Sequence, residues 1–163
     1  MNRRHAAPAA LVLALAACGG GPDRDAEVAE VAERGAEVMP FELEATTHHF
    51  AALPAGLEQT VVVDDPGDTG QLALVRDHLR YEADRFAAGD FGDPAAIHGD
   101  HMPGLAALEA GYQAVDVAYA EVPDGARLTY LTDDPALVAA LHDWGDAQVR
   151  DHGVHAEAGR PPG

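Results

Sequence analysis

Histidine is the side chain in this sequence best suited to chemistry: there are nine in 163 residues. The tightest grouping is His98-x-x-His101-Met102, two imidazoles followed directly by a thioether. Imidazole suits copper, zinc and iron, and thioether selects copper(I) or a haem iron. His78 lies three residues after Val75 and four after Leu74, at the flank of an apolar stripe with helical spacing. The stretch carrying His98 and Met102 leaves that helix and returns to the core, so it can fold back over His78. The candidate metal set is therefore His78, His98, His101 and Met102, with copper or haem as the implied cofactor. His78 and His98 are expected to approach each other, with Met102 nearby and His101 the most expendable. Covalent c-type haem attachment is excluded, because no Cys-x-x-Cys-His is present. The plainer alternative is a half-buried His78 bonded to a carbonyl and a His98 that caps a short helix before Gly99. His48-His49 and His152-x-x-His155 are weaker signals, the second because it runs into a tail rich in Ala and Gly.

Other chemistries leave no trace. The chain has no serine, so serine nucleophiles are excluded, and its one cysteine, Cys18, stands near the N-terminus. His-Glu-x-x-His and a lysine-bearing phosphate loop are both missing. No catalytic residue is assigned. Every formal positive charge is an arginine, and the net charge is −18. Such a surface repels nucleic acid and anionic headgroups and attracts cations. Trp144, the single tryptophan, reads as packing against one end of a helix.

The elements that must position these residues come in two similar sets. Thr47 to Val63 and Val117 to Leu131 each run as an extended segment, an apolar-Pro-x-Gly turn and a second β-rich segment. Pro fixes one turn dihedral and Gly frees another, so both read as β-hairpins. A helix follows each. Asp68 is an N-cap with Gln71 at capping-box spacing, and Asp134 is an N-cap with Pro135 at the first helical position. Leu72, Val75, Leu79, Ala83 and Phe86 then recur at helical spacing, as do Val138, Leu141, Gly145 and Val149. The implied fold is α+β: a duplicated β-β-α unit giving a four-stranded antiparallel sheet with both helices on one face. Ala88 to Gly111 is a helical and loop insert between the halves. Loops of that length are often functional.

The N-terminus supplies an address. Arg3-Arg4 precedes an apolar run from Ala6 to Ala17, too short to span a bilayer, and Leu15-Ala16-Ala17-Cys18 resembles the bacterial lipobox. That resemblance implies cleavage before Cys18, lipidation of its sulfur, export across the cytoplasmic membrane and a lipid anchor, palmitate included, in the cell envelope. Residues 1–17 are then a signal peptide, 18–40 a lipidated cysteine with a flexible acidic tether, 41–156 a single domain and 157–163 a disordered tail. Removing residues 1–17 takes away Arg3 and Arg4 and no acidic residue, so the mature charge moves from −18 to −20. The membrane, through Cys18, is the implied partner, with no role for nucleic acid.

A wider resemblance rests on Asp64-Asp65-Pro66, Arg76-Asp77-His78-Leu79-Arg80-x-Glu82-Ala83-x-Arg85-Phe86, Gly89-Asp90-Phe91, Ile97-His98-Gly99-x-x-Met102-Pro103-Gly104-Leu105 and Gln148-x-x-Asp151-His152-Gly153. Together these are similar to a family of short bacterial proteins often labelled aspartate carbamoyltransferase, over roughly Thr47 to Ala156. True carbamoyltransferases are about twice this length. They hold carbamoyl phosphate through a Ser-Thr-Arg-Thr and a His-Pro-x-Gln segment, and both are absent here, as is any lysine. The residues themselves point first to an envelope lipoprotein with a His/Met metal or haem site. The alternatives are a structural or interaction lipoprotein and, last, a carbamoyltransferase.

Overall fold

The computed structural model describes residues 22–162, so the apolar leader and Cys18 lie outside the described residues. The protein is α+β. In chain order its elements are α1 (Pro22–Val38), β1 (Thr46–Leu53), β2 (Gly56–Val63), α2 (Thr69–Ala87), α3 (Gly92–His98), α4 (Leu105–Gly111), β3 (Asp116–Val122), β4 (Gly125–Leu131), α5 (Pro135–His152) and β5 (Ala156–Ala158). The strands form one mixed sheet in the order β3-β4-β2-β1-β5.

Both hairpins form as the Pro-x-Gly turns require. Both long helices start at their aspartates: Asp68 accepts from the Gly70 and Gln71 amides, and Asp134 from Ala136. Gln71 does not close a capping box; its side-chain oxygen accepts from the Glu42 amide at 2.9 Å instead. Val75, Leu79 and Phe86 of α2 and Leu141 and Trp144 of α5 are buried in one core with Leu57, Val61, Leu128 and Tyr130 of the central strands. Phe86 and Trp144 meet edge to face at 6.2 Å, which puts both helices on the same side of the sheet. Gly145 allows that approach, since a Cβ there would stand 2.9 Å from Leu57 Cδ1.

The strand register is two-fold symmetric. Gly56 pairs with Leu131 and Val62 with Gly125. An offset of 69 residues (Gly56 to Gly125) carries each of these pairs onto the other and maps the β1–β2 register onto the β3–β4 register. Matching bonds follow. Thr132 N–H donates to Ala55 O at 2.9 Å, and Val63 N–H to Asp124 O at 2.8 Å. The helices obey the same symmetry, each reaching the other half's hairpin. His142 of α5 places Nε2 3.0 Å from both Leu53 O and Gly56 O. Arg76 of α2 donates to Val122 O at 2.8 Å and to Gly125 O at 3.2 Å.

Three expectations are corrected. The sheet has five strands, not four, because a turn after α5 returns β5 parallel to β1, with Ala156 beside His48. That pairing satisfies edge groups of β1 that would otherwise lack partners. The tail is accordingly not disordered throughout: Gly159 N–H donates to Phe50 O, and Arg160 grips the Glu58 carboxylate at 2.7 Å. The segment read as a flexible tether folds as α1. Gly35 does not break it, Val31 is buried, and Arg34 Nε donates to Ile97 O of α3 at 2.6 Å. Packing on α3 and α5 overrides a composition that argues for disorder.

Candidate functional site

Between β1, α2, α3 and α5 lies a partly open cavity of about 50 Å³. β1 contributes His48, α2 contributes His78 and Glu82, α3 contributes His98, and α5 contributes Trp144, Gln148 and His152. Met39 and Phe41, on the connector after α1, close one side. Four imidazoles therefore face one small space. The rings run in a row: His78 meets Phe41 at 5.5 Å, Phe41 meets His48 at 5.8 Å, His48 meets His152 at 5.1 Å, and His152 meets His98 at 5.0 Å.

Backbone geometry explains each placement. Strand side chains alternate, so His48 shares the helix-facing side of β1 with Thr46 and Phe50. On α5, Trp144, Gln148 and His152 follow at four-residue spacing along one stripe. His98 is the last residue of α3 and is aimed by Asp151, whose Oδ2 lies 3.1 Å from His98 Nδ1. Arg150 holds the other oxygen of Asp151 at 2.9 Å. His152 Nε2 lies 3.1 Å from Gln148 Oε1, an acceptor, so the ring donates from Nε2 and leaves Nδ1 as a lone pair.

Several buried groups here have no partner: His48 Nε2, His152 Nδ1, Glu82 Oε1 and Trp144 Nε1. Burial, aided by the neighbouring imidazoles, pulls the His48 pKa down to about 3. His152 falls well below its ordinary value for the same two reasons. Burial also lowers His78 and His98, outweighing the carboxylates of Asp93 and Asp151. Glu82 moves the other way: burial first, and the adjacent Asp93 second, push it up to about 9. At neutral pH the lining thus holds neutral imidazoles, the protonation state in which histidine accepts hydrogen bonds and ligates metals.

Of the four candidates read from the sequence, His78 and His98 line this cavity together. His101 and Met102 do not. They flank a separate surface depression between α4 and α5, with His101 exposed and Met102 packed into the core. The thioether beside the histidines belongs to Met39. Among the described residues, no three His, Cys, Asp or Glu side chains already present donors around one point. Met39, Glu82 and Gln148 are not singled out by the sequence, and His48 and His152 stand there only among the weaker signals. The alternation of β1 and the extension of the Leu141–Trp144 stripe to His152 would have placed those two. No family model, curated protein or solved structure matches this chain.

Proposed function

We propose that this chain is a lipid-anchored protein of the bacterial cell envelope whose domain binds a transition-metal ion in the cavity formed by His48, His78, His98 and His152. The observation that carries the reading is a contrast between histidines. His142 is a structural histidine, with Nε2 in reach of two carbonyls. His48 and His152 are more deeply buried than His142, yet each leaves a ring nitrogen unpaired beside a cavity. A buried unpaired nitrogen costs about 1–3 kcal/mol, so a purely structural core has no reason to keep two of them facing one space. A ligand that accepts both lone pairs removes that cost.

The size and lining of the cavity narrow the class. Haem does not fit in about 50 Å³, since ligand pockets even for drug-sized molecules take roughly 300 Å³ or more. No arginine or lysine lines it, so nothing there would hold the phosphate dianion of carbamoyl phosphate. A bare ion taking nitrogen and sulfur donors fits both constraints. The anchor rests on the lipobox resemblance at Cys18. The test is metal content of the full chain, purified in detergent without a histidine tag. Wild type should retain copper, zinc or nickel, and the His48→Ala/His152→Ala variant should bind it more than about tenfold more weakly. His101→Ala, at the separate depression, should match wild type. A metal-free wild type that takes up none of the three on titration would refute the reading.

A further inference from the structure

Resting on that reading, we infer that the ion is copper(I), held by His48 Nε2 and His152 Nδ1 with the Met39 thioether as third donor. The two orphaned nitrogens come from adjacent rings whose centroids are 5.1 Å apart. Two imidazoles bound about 2 Å from one ion in a bent arrangement have centroids roughly 5–5.5 Å apart. The tautomer of His152 is fixed for ligation, because Gln148 occupies Nε2 and leaves Nδ1 toward the cavity side. His98 stands edge-on to His152 at 5.0 Å and is tied to Asp151, so it braces that ring instead of completing the ligand set. Met39, buried at 7 % exposure, lines the same space and carries the thioether among its lining residues.

Coordination number and charge both choose the oxidation state. Protein-bound zinc(II) takes three or four protein donors around one centre. The described His, Cys, Asp and Glu side chains offer no such group of three. Copper(I) is satisfied by two imidazoles, or by two imidazoles and a thioether, and thioether favours it over divalent ions. The solvation cost of burying an ion rises with the square of its charge, so an apolar cavity penalises a divalent cation about four times as heavily. Apart from Glu82, which lines the cavity, the nearby carboxylates that would offset a second charge are engaged elsewhere. Asp93 faces Arg85 at 3.3 Å, and Asp151 faces Arg150 and His98.

The experiment is an anaerobic competition titration of the full chain in detergent against a copper(I) chelator, with parallel copper(II) and zinc(II) titrations. X-ray absorption is recorded on the copper(I) form. Expected are one copper(I) per chain, bound more tightly than either divalent ion, and a first shell of two nitrogens and one sulfur. Met39→Leu should weaken copper(I) at least about tenfold, remove the sulfur signal and leave the divalent affinities unchanged. His101→Ala, at the separate surface depression, should leave copper(I) affinity within about threefold of wild type. Tighter zinc(II) or copper(II) binding, a sulfur-free shell in wild type, or loss of binding in His101→Ala would overturn the assignment. A divalent ion that binds and is lost in His48→Ala/His152→Ala would leave the metal reading standing while removing the copper(I) inference. No ion binding at all would remove both.

Discussion

Glu82 and Gln148 sit at matching places on the two long helices, 14 residues after the capping Asp68 and Asp134, and both line the cavity. They are near-isosteres, but only Glu82 titrates, and this makes stability depend on pH. Its carboxyl is raised from 4.5 to about 9, so between those values the folded state holds a proton that the unfolded chain releases. Stability attributable to Glu82 is fully present below pH 4.5 and is lost as pH rises through about 9. His48 has the opposite sign. Lowered from 6.5 to about 3, it contributes fully above pH 6.5 and loses that contribution as pH falls toward 3. His78, His98 and His152 are shifted in the same direction. Urea midpoints measured from pH 5 to 9 should therefore decline on the alkaline side in wild type, and Glu82→Gln should flatten that limb while leaving the acid limb in place. Equal alkaline slopes in the two proteins would show that Glu82 is not held protonated.

The hairpins and long helices were legible because their signals are local. Pro54 and Pro123 set the turns, Gly56 and Gly125 follow them, and Asp68 and Asp134 open the helices. The glycines do more than turn the chain. A Cβ on Gly56 would stand 1.8 Å from Tyr130 O, and one on Gly125 would stand 1.8 Å from Val61 O, two positions related by the internal symmetry. Gly56→Ala and Gly125→Ala should each cost more than about 3 kcal/mol, and by similar amounts, because backbone carbonyls of the central strands cannot retreat. Gly99→Ala is the control: its φ of 89° and ψ of 157° suit glycine alone but nothing lies within 4 Å, so strain alone should cost about 1–3 kcal/mol. Chemical unfolding of the three variants checks the ranking. What the sequence hid was non-local. β5 is three residues of Ala-Glu-Ala whose only reason to be extended is the edge of β1. α1 is acidic and crossed by Gly35, and it is ordered by packing against helices far along the chain. His152 looked like part of a fraying tail because after Val149 the end of α5 carries no apolar residue to announce that it is still buried there.

For the whole molecule, the folding of α1 changes what an anchor at Cys18 would do. Three residues, Gly19 to Gly21, separate Cys18 from Pro22, and the four steps span at most about 14 Å of chain, so the domain would ride close to the bilayer instead of on a long tether. Cys18→Ser should abolish lipid labelling and shift the protein from the membrane to the soluble or unprocessed pool, since a hydroxyl cannot form the thioether. Wild-type membrane retention in that variant, followed by fractionation and immunoblotting, would refute the anchor. The crossed clips carry a further consequence, for the order in which the protein can come into being. α2 lies chiefly over β3 and β4, while α5 lies over β1 and β2, and His142 fastens the turn between the first two strands. Neither half owns the helix that covers its own sheet. A nascent chain emerging N-terminus first therefore has no stable half-way product: its first hairpin stays largely uncovered until α5, Pro135–His152, has been made. Such a chain is kept open by its own topology until α5 has been made, and it commits to structure only then.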